Sequence, residues 1–228
     1  MNMFKTKTKT NADIFEFLRL HVKSCGEFHD ETLKQVLDAV ESIITNDIQG
    51  DFVEIGVYKG VMVMAMCAKL IQLGVTDRIV HLYDTFEGMV DPSDKDVYCY
   101  NNSLPDVNNE SVKSYCPLSQ VKANILLTGY PVSNIVYHVG DICQTDLNMI
   151  PSAISLLRLD TDWYDSTKFE LDNFTKNVSD KGIITQDDYN WWKGATDAVN
   201  EYLQGQPAVD VNMLHPHGIW WVHSIKNY

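Results

Sequence analysis

The sequence predicts an α/β fold in which a mostly parallel sheet of seven strands carries helices on both faces. From residue 51 onward, short apolar runs of strand-like composition alternate with segments of helical periodicity. The last two strand-like runs, 211–215 and 218–224, are separated only by Pro216 and His217. That link is too short for the crossover that parallel neighbours require. One strand near the C-terminus should therefore run antiparallel to the others.

The N-terminal part of the chain predicts helices before the first strand. Residues 11–24 and 30–45 place apolar side chains at helical spacing. We therefore expect residues 1–48 to form a helical segment that acts as a lid or as a contact between subunits. Residues 49–228 should form the main α/β domain.

Five strands and four helices are predicted between the N-terminal segment and the terminal strand pair. The predicted strands are 51–56, 78–84, 134–140, 153–160 and 182–188. The predicted helices are 60–73, about 110–127 with an interruption at Pro117, one beginning near Ser166–Thr167, and 191–204. Thr167 and Glu170 have the spacing of a capping box, and Asp165 is a second candidate cap for the same helix. Asp188 is a candidate cap for the helix at 191–204. The polar stretch 91–111 predicts a loop.

Composition and charge exclude several classes of partner. The formal net charge is −13 and the sequence pI is about 4.8, which disfavours binding to nucleic acids and to anionic membranes. The five cysteines are widely spaced without a CxxC pair, which indicates reduced thiols. With no secretory signal visible, we expect a cytoplasmic protein. The longest apolar run, 61–68, is too short to cross a bilayer.

Glycines and acids end the predicted parallel strands and indicate a nucleoside site. VEIGVYKG (53–60) follows a strand and opens a helix, and Gly56 permits a tight turn with close approach to a ligand. Asp84 ends the next strand, where an acid can accept hydrogen bonds from ribose hydroxyls. Phe86 could lie against a purine, and Asp141 could meet the adenine edge. Each feature alone also fits an ordinary turn or a solvated acid.

Four carboxylates follow the later strands and indicate a cation site. Asp160 and Asp162 stand two apart in LLRLDTDWYDST (156–167), so in a strand they would face the same side. Asp187 and Asp188 are adjacent and follow the next strand. Carboxylate oxygens are typical ligands of Mg²⁺ or Ca²⁺. The same D-x-D pattern also fits metal-dependent glycosyltransferases and aspartyl phosphatases, and these alternatives remain open at this point.

Four sequence blocks together resemble one known family. GDFVEIGVYKG (50–60), LYDTFEGM (82–89), LLRLDTDWYDST (156–167) and QDDYNWWKGATDAV (186–199) are similar, in this order, to the macrocin O-methyltransferases. That family has a Rossmann-like class I methyltransferase fold and methylates sugar hydroxyls with S-adenosylmethionine. Val61 departs from the family pattern, which often has a second glycine after Gly60. The stretch 140–151 is only loosely similar.

The resemblance implies a role for each matching residue. The donor site would include the turn at Glu54 and Gly56, the ribose ligand Asp84, and the neighbouring residues Tyr58, Thr85, Phe86, Asp141, Ile142 and Asp160. Asp160, Asp187 and Asp188 would ligate Mg²⁺, and Asp162 would be the general base. The acceptor would be a deoxysugar such as rhamnose, on a glycan or a glycosylated natural product. The family also implies a homo-oligomer.

The tryptophans have two interpretations. Trp191, Trp192, Trp220 and Trp221 flank a predicted helix start and fill the last predicted strand. They could form a wall that stacks against an acceptor sugar. Alternatively, most of them pack in the core or between subunits, with one or two left for the acceptor site.

Overall fold

The computed structural model describes residues 10–22, 29–206 and 209–224. Its seven strands are β1 (Asp51–Ile55), β2 (Val80–Asp84), β3 (Ile135–Val139), β4 (Ile154–Leu159), β5 (Val178–Gln186), β6 (Asn212–His215) and β7 (Gly218–Val222). They form one sheet in the order β3-β2-β1-β4-β5-β7-β6, and β7 runs in the direction opposite to the other six strands. The predicted α/β fold, with seven strands and one antiparallel strand near the C-terminus, is therefore confirmed.

The described residues form seven α-helices. They are α1 (Asn11–His21), α2 (Asp30–Thr45), α3 (Val61–Gln72), α4 (Glu110–Lys113), α5 (Leu118–Leu126), α6 (Tyr164–Asn173) and α7 (Lys193–Gln204). The break between α4 and α5 lies at Pro117 as predicted, because proline disfavours the helical conformation of the residue before it. Cys25 and the predicted end of the first helix at 23–24 lie outside the described residues.

Alternating side chains of the central strands fill two separate cores. Phe52 and Leu156 face one side, where they pack with residues of α1, α2, α3 and α5. Val53 and Leu157 face the other side, where they pack with residues of α6 and α7. This alternation follows from the two-residue period of a strand, and it explains why β1 and β4 are apolar almost throughout.

A buried lysine attaches the N-terminal helices to the rest of the fold. Lys69 on α3 is almost fully buried, and its ammonium donates to Glu41 on α2 at 2.6 Å and to Asn11 on α1 at 2.9 Å. A buried lysine is unfavourable unless it is paired. The two contacts therefore stabilise one arrangement of α1 and α2 against α3.

The helix cap predicted within 164–170 is wrong. Helix α6 begins at Tyr164, so Thr167 and Glu170 lie inside it, and neither these residues nor Asp165 occupies the cap position. The first backbone N–H of the helix, at Tyr164, instead donates to the carboxylate of Asp96 at 2.7 Å. Asp96 lies far away in sequence, so a local pattern does not reveal this cap. Helix α7, by contrast, has Trp192 at its cap position and no side-chain cap hydrogen bond from it. Asp188 accepts the N–H groups of Trp191 and Trp192 through its backbone carbonyl rather than through its carboxylate.

Thiols and helices of the described residues bear on the cysteine and membrane expectations. The four cysteines within the described residues are free thiols. Among the helices of these residues, none has the length and apolar character that a bilayer span requires.

A histidine pair links the first three strands. The carboxylate of Asp51 lies 3.1 Å from Nε2 of His81, and Nδ1 of His81 lies 3.0 Å from Nε2 of His138. The ring of His138 stacks on Tyr83 at a centroid distance of 4.0 Å. Burial, and then the neighbouring His81, lower the pKa of His138 to about 4. The fold therefore favours the neutral form of this imidazole.

We expect His138 to make the protein less stable in mild acid. A histidine with a lowered pKa binds protons more readily when unfolded, so its contribution is complete above about pH 6.5 and is lost as the pH falls toward 4. Because the ring is half-buried, solvent screening limits the effect to about 1 kcal/mol. Urea unfolding at pH 7.5 and pH 5 measures it, and His138→Gln should lose less stability between the two pH values than the wild type. An equal loss in both proteins would contradict the assignment.

Candidate active site

A cavity opens at the carboxyl ends of the parallel strands. It encloses about 760 Å³ including its open mouth, and the loops that follow β1, β2, β3 and β4 line it. The strand order reverses between β1 and β4, which is where ligands bind in open α/β sheets. The topology therefore places the cavity where the sequence predicts a nucleoside site.

Gly56 lets the loops after β1 and β4 touch below this cavity. It adopts a left-handed φ of +82°, and its N–H donates to the carbonyl of Tyr83 at 2.9 Å. A Cβ atom at this position would lie only 1.9 Å from the carbonyl oxygen of Asp160. Both the conformation and the lack of space therefore require glycine here.

Asp84 holds two walls of the cavity together. One carboxylate oxygen accepts the N–H groups of Val57 at 2.7 Å and Tyr58 at 2.9 Å, and the other accepts the N–H of Phe86 at 2.6 Å. The end of β2 thus fixes the loop after β1. The side chain also lines the cavity, as the predicted ribose ligand must.

Most of the predicted donor residues surround the cavity, and two do not. The lining includes Gly56, Tyr58, Asp84, Thr85, Asp141, Ile142 and Asp160. Phe86 is not among the lining residues: its ring is buried in the core, with an edge contact to Tyr137. Glu54 is also buried and pairs with Arg158 instead. Neither side chain therefore lines the cavity itself, and a role for either in donor binding stays a prediction.

Three of the four predicted acids form a cluster beside the cavity. Asp160, Asp162 and Asp188 each offer a carboxylate oxygen, and these oxygens all lie within 4.8 Å of one another. The N–H of Asp162 also donates to the carboxylate of Asp188 at 3.2 Å. Strand β4 ends at Leu159 and Asp162 has a φ of +67°, so a turn brings Asp160 and Asp162 together. The prediction that Asp160 and Asp162 lie close together is confirmed. The cause is this turn and not the alternation of side chains along a strand, because both residues follow the end of β4.

The cluster carries more negative charge than its surroundings stabilise. Burial raises the pKa of Asp160 to about 7 and that of Asp162 to about 6. Burial, and then the charges of Asp162 and Asp160, raise the pKa of Asp188 well above its ordinary value. Carboxylates in such an arrangement bind either protons or a cation. Three oxygen donors at this spacing fit a hard divalent ion.

Asp187 lies outside this cluster. One of its oxygens accepts from Nη2 of Arg158 at 2.7 Å, and the other lies 3.1 Å from Nε2 of His215 and 3.3 Å from the hydroxyl of Thr32. Burial opposes ionisation, but the Arg158 charge and the His215 hydrogen bond hold the pKa of Asp187 below its ordinary value. Coordination of a metal by Asp187 would require one oxygen to turn from these partners.

Arg158 is the residue that the sequence reasoning missed. Its side chain is only 2% exposed, yet it donates to Glu54 at 3.1 Å, to Asp160 at 2.7 Å and to Asp187 at 2.7 Å. A charged residue inside the apolar strand β4 indicates buried ion pairs at the site, because a buried arginine needs partners. Its neighbour in register on β1 is Glu54. Burial raises the pKa of Glu54 to about 8, against the opposing effect of Arg158.

The tryptophans divide between the core and the site. Trp192 and Trp221 are buried, Trp220 is partly buried against the core beneath α2, and Trp191 is 38% exposed. The side chain of Trp192 lies near Asp162 and opposes the rise in the pKa of that carboxyl. The interpretation that most of them pack internally is therefore correct, and Trp191 is the one with substantial exposure.

Comparisons with known proteins agree with this geometry. The model of the family described as macrocin-O-methyltransferase (TylF) matches residues 26–223. The chain is 29% identical over 186 residues to a tetracenomycin-C 4'-O-methyltransferase of Streptomyces olivaceus, with 81% of this chain and 70% of that protein covered. It is 28% identical over 190 residues to demethyldecarbamoylnovobiocin O-methyltransferase of Streptomyces niveus, with 83% and 72% covered.

Solved structures give the same picture. The O-methyltransferase NovP is similar with a TM-score of 0.76 and 27% identity, over 86% of this chain and 80% of that one. The calicheamicin methyltransferase CalS11 is similar in fold, with a TM-score of 0.67 and 17% identity over 92% and 91% of the two chains.

Replacement of Gly56 by alanine should damage the fold far more than the same change at another left-handed glycine. Gly74 has a similar φ of +76°, but a Cβ there meets nothing within 4 Å. Gly74→Ala should cost about 1–2 kcal/mol of unfolding free energy for conformation alone. Gly56→Ala adds a collision with the Asp160 backbone and should cost more than about 4 kcal/mol, or prevent folding. Urea denaturation of both variants measures the difference, and equal losses would show that the close approach is unimportant.

Loss of the buried arginine should destabilise the protein strongly. Arg158→Leu leaves carboxylates buried without their counter-charge, which should cost about 3–5 kcal/mol. The matched control is Arg19→Leu, which removes an ion pair with Asp30 whose partners are more than half exposed and should cost less than about 1 kcal/mol. The Arg158→Leu loss should shrink as the pH falls from 8 to 6, because protonation neutralises the abandoned carboxylates. Calorimetric unfolding at both pH values tests this, and a pH-independent loss would contradict it.

Proposed function

The chain belongs to the macrocin-O-methyltransferase family and is an S-adenosylmethionine-dependent O-methyltransferase, and we propose that its acceptor is a sugar hydroxyl of a glycosylated natural product. The observation that carries this proposal is the acidic cluster of Asp160, Asp162 and Asp188 at the edge of the strand-end cavity. A donor in the cavity and an acceptor hydroxyl at the cluster would be neighbours. The name of one relative includes a rhamnosyl group, which supports a deoxysugar such as rhamnose.

The cavity would hold the methyl donor through residues of four strand ends. Gly56 and Tyr58 would flank its amino-acid end, Asp84 would accept from the ribose, and Asp141 and Ile142 would border the base. The sulfonium group is cationic, so the acids around the cavity favour it electrostatically. After transfer the sulfur is neutral, which weakens the attraction and assists product release.

A hard divalent cation such as Mg²⁺ is the second part of the proposal. The closely spaced carboxylates of Asp160 and Asp188 fit such an ion, and either Asp162 or Asp187 would be the third carboxylate ligand. A bound divalent ion stabilises negative charge on an alcohol oxygen and so makes a poor nucleophile more reactive. The resemblance assigns the third position to Asp187, whereas the geometry brings Asp162 closer.

Asp162 would serve as the general base. Its carboxylate lines the cavity and has a pKa raised to about 6 by burial, which suits proton transfer near neutral pH. Asp162 would take the proton of the acceptor hydroxyl as the hydroxyl oxygen bonds to the donor methyl. The donor's carbon–sulfur bond would break at the same time and leave its electron pair on sulfur. The neighbouring side chain of Trp192 favours the ionised form of this carboxyl.

The other uses of the D-x-D pattern receive no support. A glycosyltransferase or phosphatase would need no glycine turn at Gly56 with Asp84 beneath it, and the family assignment is to methyltransferases. We also propose a cytoplasmic location and a homo-oligomeric state. The free thiols support the location, and the negative charge supports an enzyme that binds neither nucleic acid nor membranes.

Methyl transfer to deoxysugar glycosides should depend on a divalent cation. We expect mass spectrometry to show the gain of one methyl group when the protein is incubated with S-adenosylmethionine, Mg²⁺ and a panel of such glycosides. EDTA should lower the rate by at least about 100-fold, and excess Mg²⁺ should restore it, because cation removal leaves the alkoxide unstabilised. If EDTA leaves the rate unchanged, the reaction requires no divalent cation, but methyl transfer to a sugar is still supported. If no sugar in the panel is methylated, the proposal of a sugar acceptor is wrong.

Two matched variants separate the roles of the acids. Asp162→Asn should lower kcat by about 10²–10⁴-fold while the Mg²⁺ concentration for half-maximal rate stays the same. Asp187→Asn should raise that concentration if Asp187 is a ligand. If Asp162→Asn raises it and Asp187→Asn does not, Asp162 is a ligand rather than the base. Donor binding, followed by calorimetry, should survive in both variants.

A further inference from the structure

A buried glutamate on α6 makes a polar contact with the turn that carries two of the clustered acids. Glu170 is fully buried, and its Oε1 accepts from the hydroxyl of Thr161 at 2.7 Å. Its Oε2 is also enclosed, and the described residues offer it no hydrogen-bond partner. Burying a carboxyl group with so few polar contacts is unfavourable, and an apolar side chain would fill the same space without that cost. The contact with Thr161 is therefore what a hydrophobic residue at position 170 could not supply.

Thr161 stands at the centre of that turn. Asp160, Thr161 and Asp162, here called the acid turn, follow the end of β4, and all three line the cavity. Asp162 has a left-handed φ of +67°, a conformation that is unfavourable for a residue with a side chain. Such a conformation persists only where surrounding contacts hold it. The direction of the Asp162 carboxylate therefore depends on the contacts that anchor the acid turn.

Backbone hydrogen bonds anchor the two acids of the turn. The N–H of Asp160 donates to the carbonyl of Ile55 at 2.9 Å. The N–H of Asp162 donates to the carboxylate of Asp188, which belongs to the same cluster of raised pKa values. The side chain of Thr161 adds a link from the middle of the turn to helix α6, an element outside the cluster. This link fixes the turn to a part of the fold whose charge does not change during proton transfer.

Helix α6 holds the carboxyl group of Glu170 in place. Leu171 and Phe174, which follow Glu170 in the chain, are fully buried in the core that the sheet shares with α6 and α7. Tightly packed side chains of this kind leave a helix little freedom to shift. The acceptor oxygen of Glu170 therefore has a fixed position, and the hydrogen bond transfers that position to Thr161.

Glu170 can hold the acid turn without adding to its charge. Burial raises the pKa of Glu170 well above its ordinary value, and the charges of Asp160 and Asp162 add to the rise against the opposing hydrogen bond from Thr161. The fold therefore favours the neutral carboxylic acid. An ionised group in the same place would repel the two acids of the turn and favour their protonation.

We propose that Glu170 is a positioning residue for methyl transfer. Through the hydroxyl of Thr161 it holds the acid turn in one orientation, so that the carboxylate of Asp162 is aligned with the acceptor hydroxyl and the donor methyl. Glu170 itself does not line the cavity, and its effect reaches the reaction only through Thr161. This inference rests on the proposed function and adds a residue that lies outside the D-x-D pattern.

Removal of either half of the hydrogen bond should slow turnover without weakening binding. Thr161→Val keeps the branched shape and loses the hydroxyl, and Glu170→Met keeps the volume and loses the acceptor. Each should lower kcat about 10- to 100-fold, whereas the acceptor KM and the calorimetric Kd of S-adenosylmethionine should change less than about threefold, because the reacting groups are misplaced rather than lost. The double variant should be no slower than the slower single variant, since both changes remove the same bond.

Conservative replacements should rescue the rate. Thr161→Ser keeps the donor, and Glu170→Gln keeps a neutral group with an acceptor oxygen, so both should retain at least about half of the wild-type kcat. The matched control is Thr175→Val, which removes a buried hydroxyl that donates to the carbonyl of Leu171 at 2.6 Å, beyond the far end of α6. It should lower the unfolding free energy about as much as Thr161→Val does and leave kcat unchanged.

Hydrogen exchange gives a readout that needs no turnover. Followed by mass spectrometry, the backbone amides of residues 160–163 should exchange at least about tenfold faster in Thr161→Val and Glu170→Met than in the wild type and in Thr175→Val. Unchanged exchange, an unchanged kcat in the two variants, an equal kcat loss in the control, or additive losses in the double variant overturns the inference. If no sugar is methylated although the donor binds, the proposed function fails, and the exchange rates still decide whether Glu170 holds the acid turn.

Discussion

The buried guanidinium of Arg158 is the interaction on which the arrangement of the site depends. One cation binds carboxylates from three neighbouring strands, Glu54 of β1, Asp160 after β4 and Asp187 after β5. These strands span the point where the strand order reverses. Because the side chain is enclosed in the sheet, its geometry is fixed by packing rather than by solvent-exposed contacts. The ends of three strands are thereby fixed relative to one another before any ligand binds.

This single cation divides the acids into two groups with different chemistry. Asp187 receives the arginine, a histidine and a threonine, and these contacts favour its ionised form. Within the part of the chain that the structure describes, Asp162 and Asp188 form no ion pair with a cation, and burial raises the pKa of both. Asp160 lies between the groups, since it contacts Arg158 and still belongs to the cluster. The adjacent residues Asp187 and Asp188 therefore differ because they face different surroundings at the end of β5.

The sequence was sufficient for the parts of the structure that depend on local patterns. Alternating strands and helices predict the sheet and its antiparallel strand, and acids at strand ends predict the cavity and most of its lining. Contacts between distant residues were not accessible: Asp96 caps α6 across 68 positions, and Phe86 turns into the core. Arg158 was accessible in principle, because a charge inside the apolar strand β4 requires partners, but the sequence does not say which carboxylates those partners are.

The segment after β5 joins the acid cluster to the loop 91–107. Asp188 contributes to the cluster, and the side chain of Trp192 opposes the rise in the pKa of the neighbouring Asp162. The loop pairs with the same segment through the backbone bridge between Tyr98 and Trp192. Because the loop and the surroundings of Asp162 both depend on Trp192, a displacement of the loop would also change the environment of the predicted base. The alignment of that base with an acceptor hydroxyl therefore depends on how firmly this loop is held.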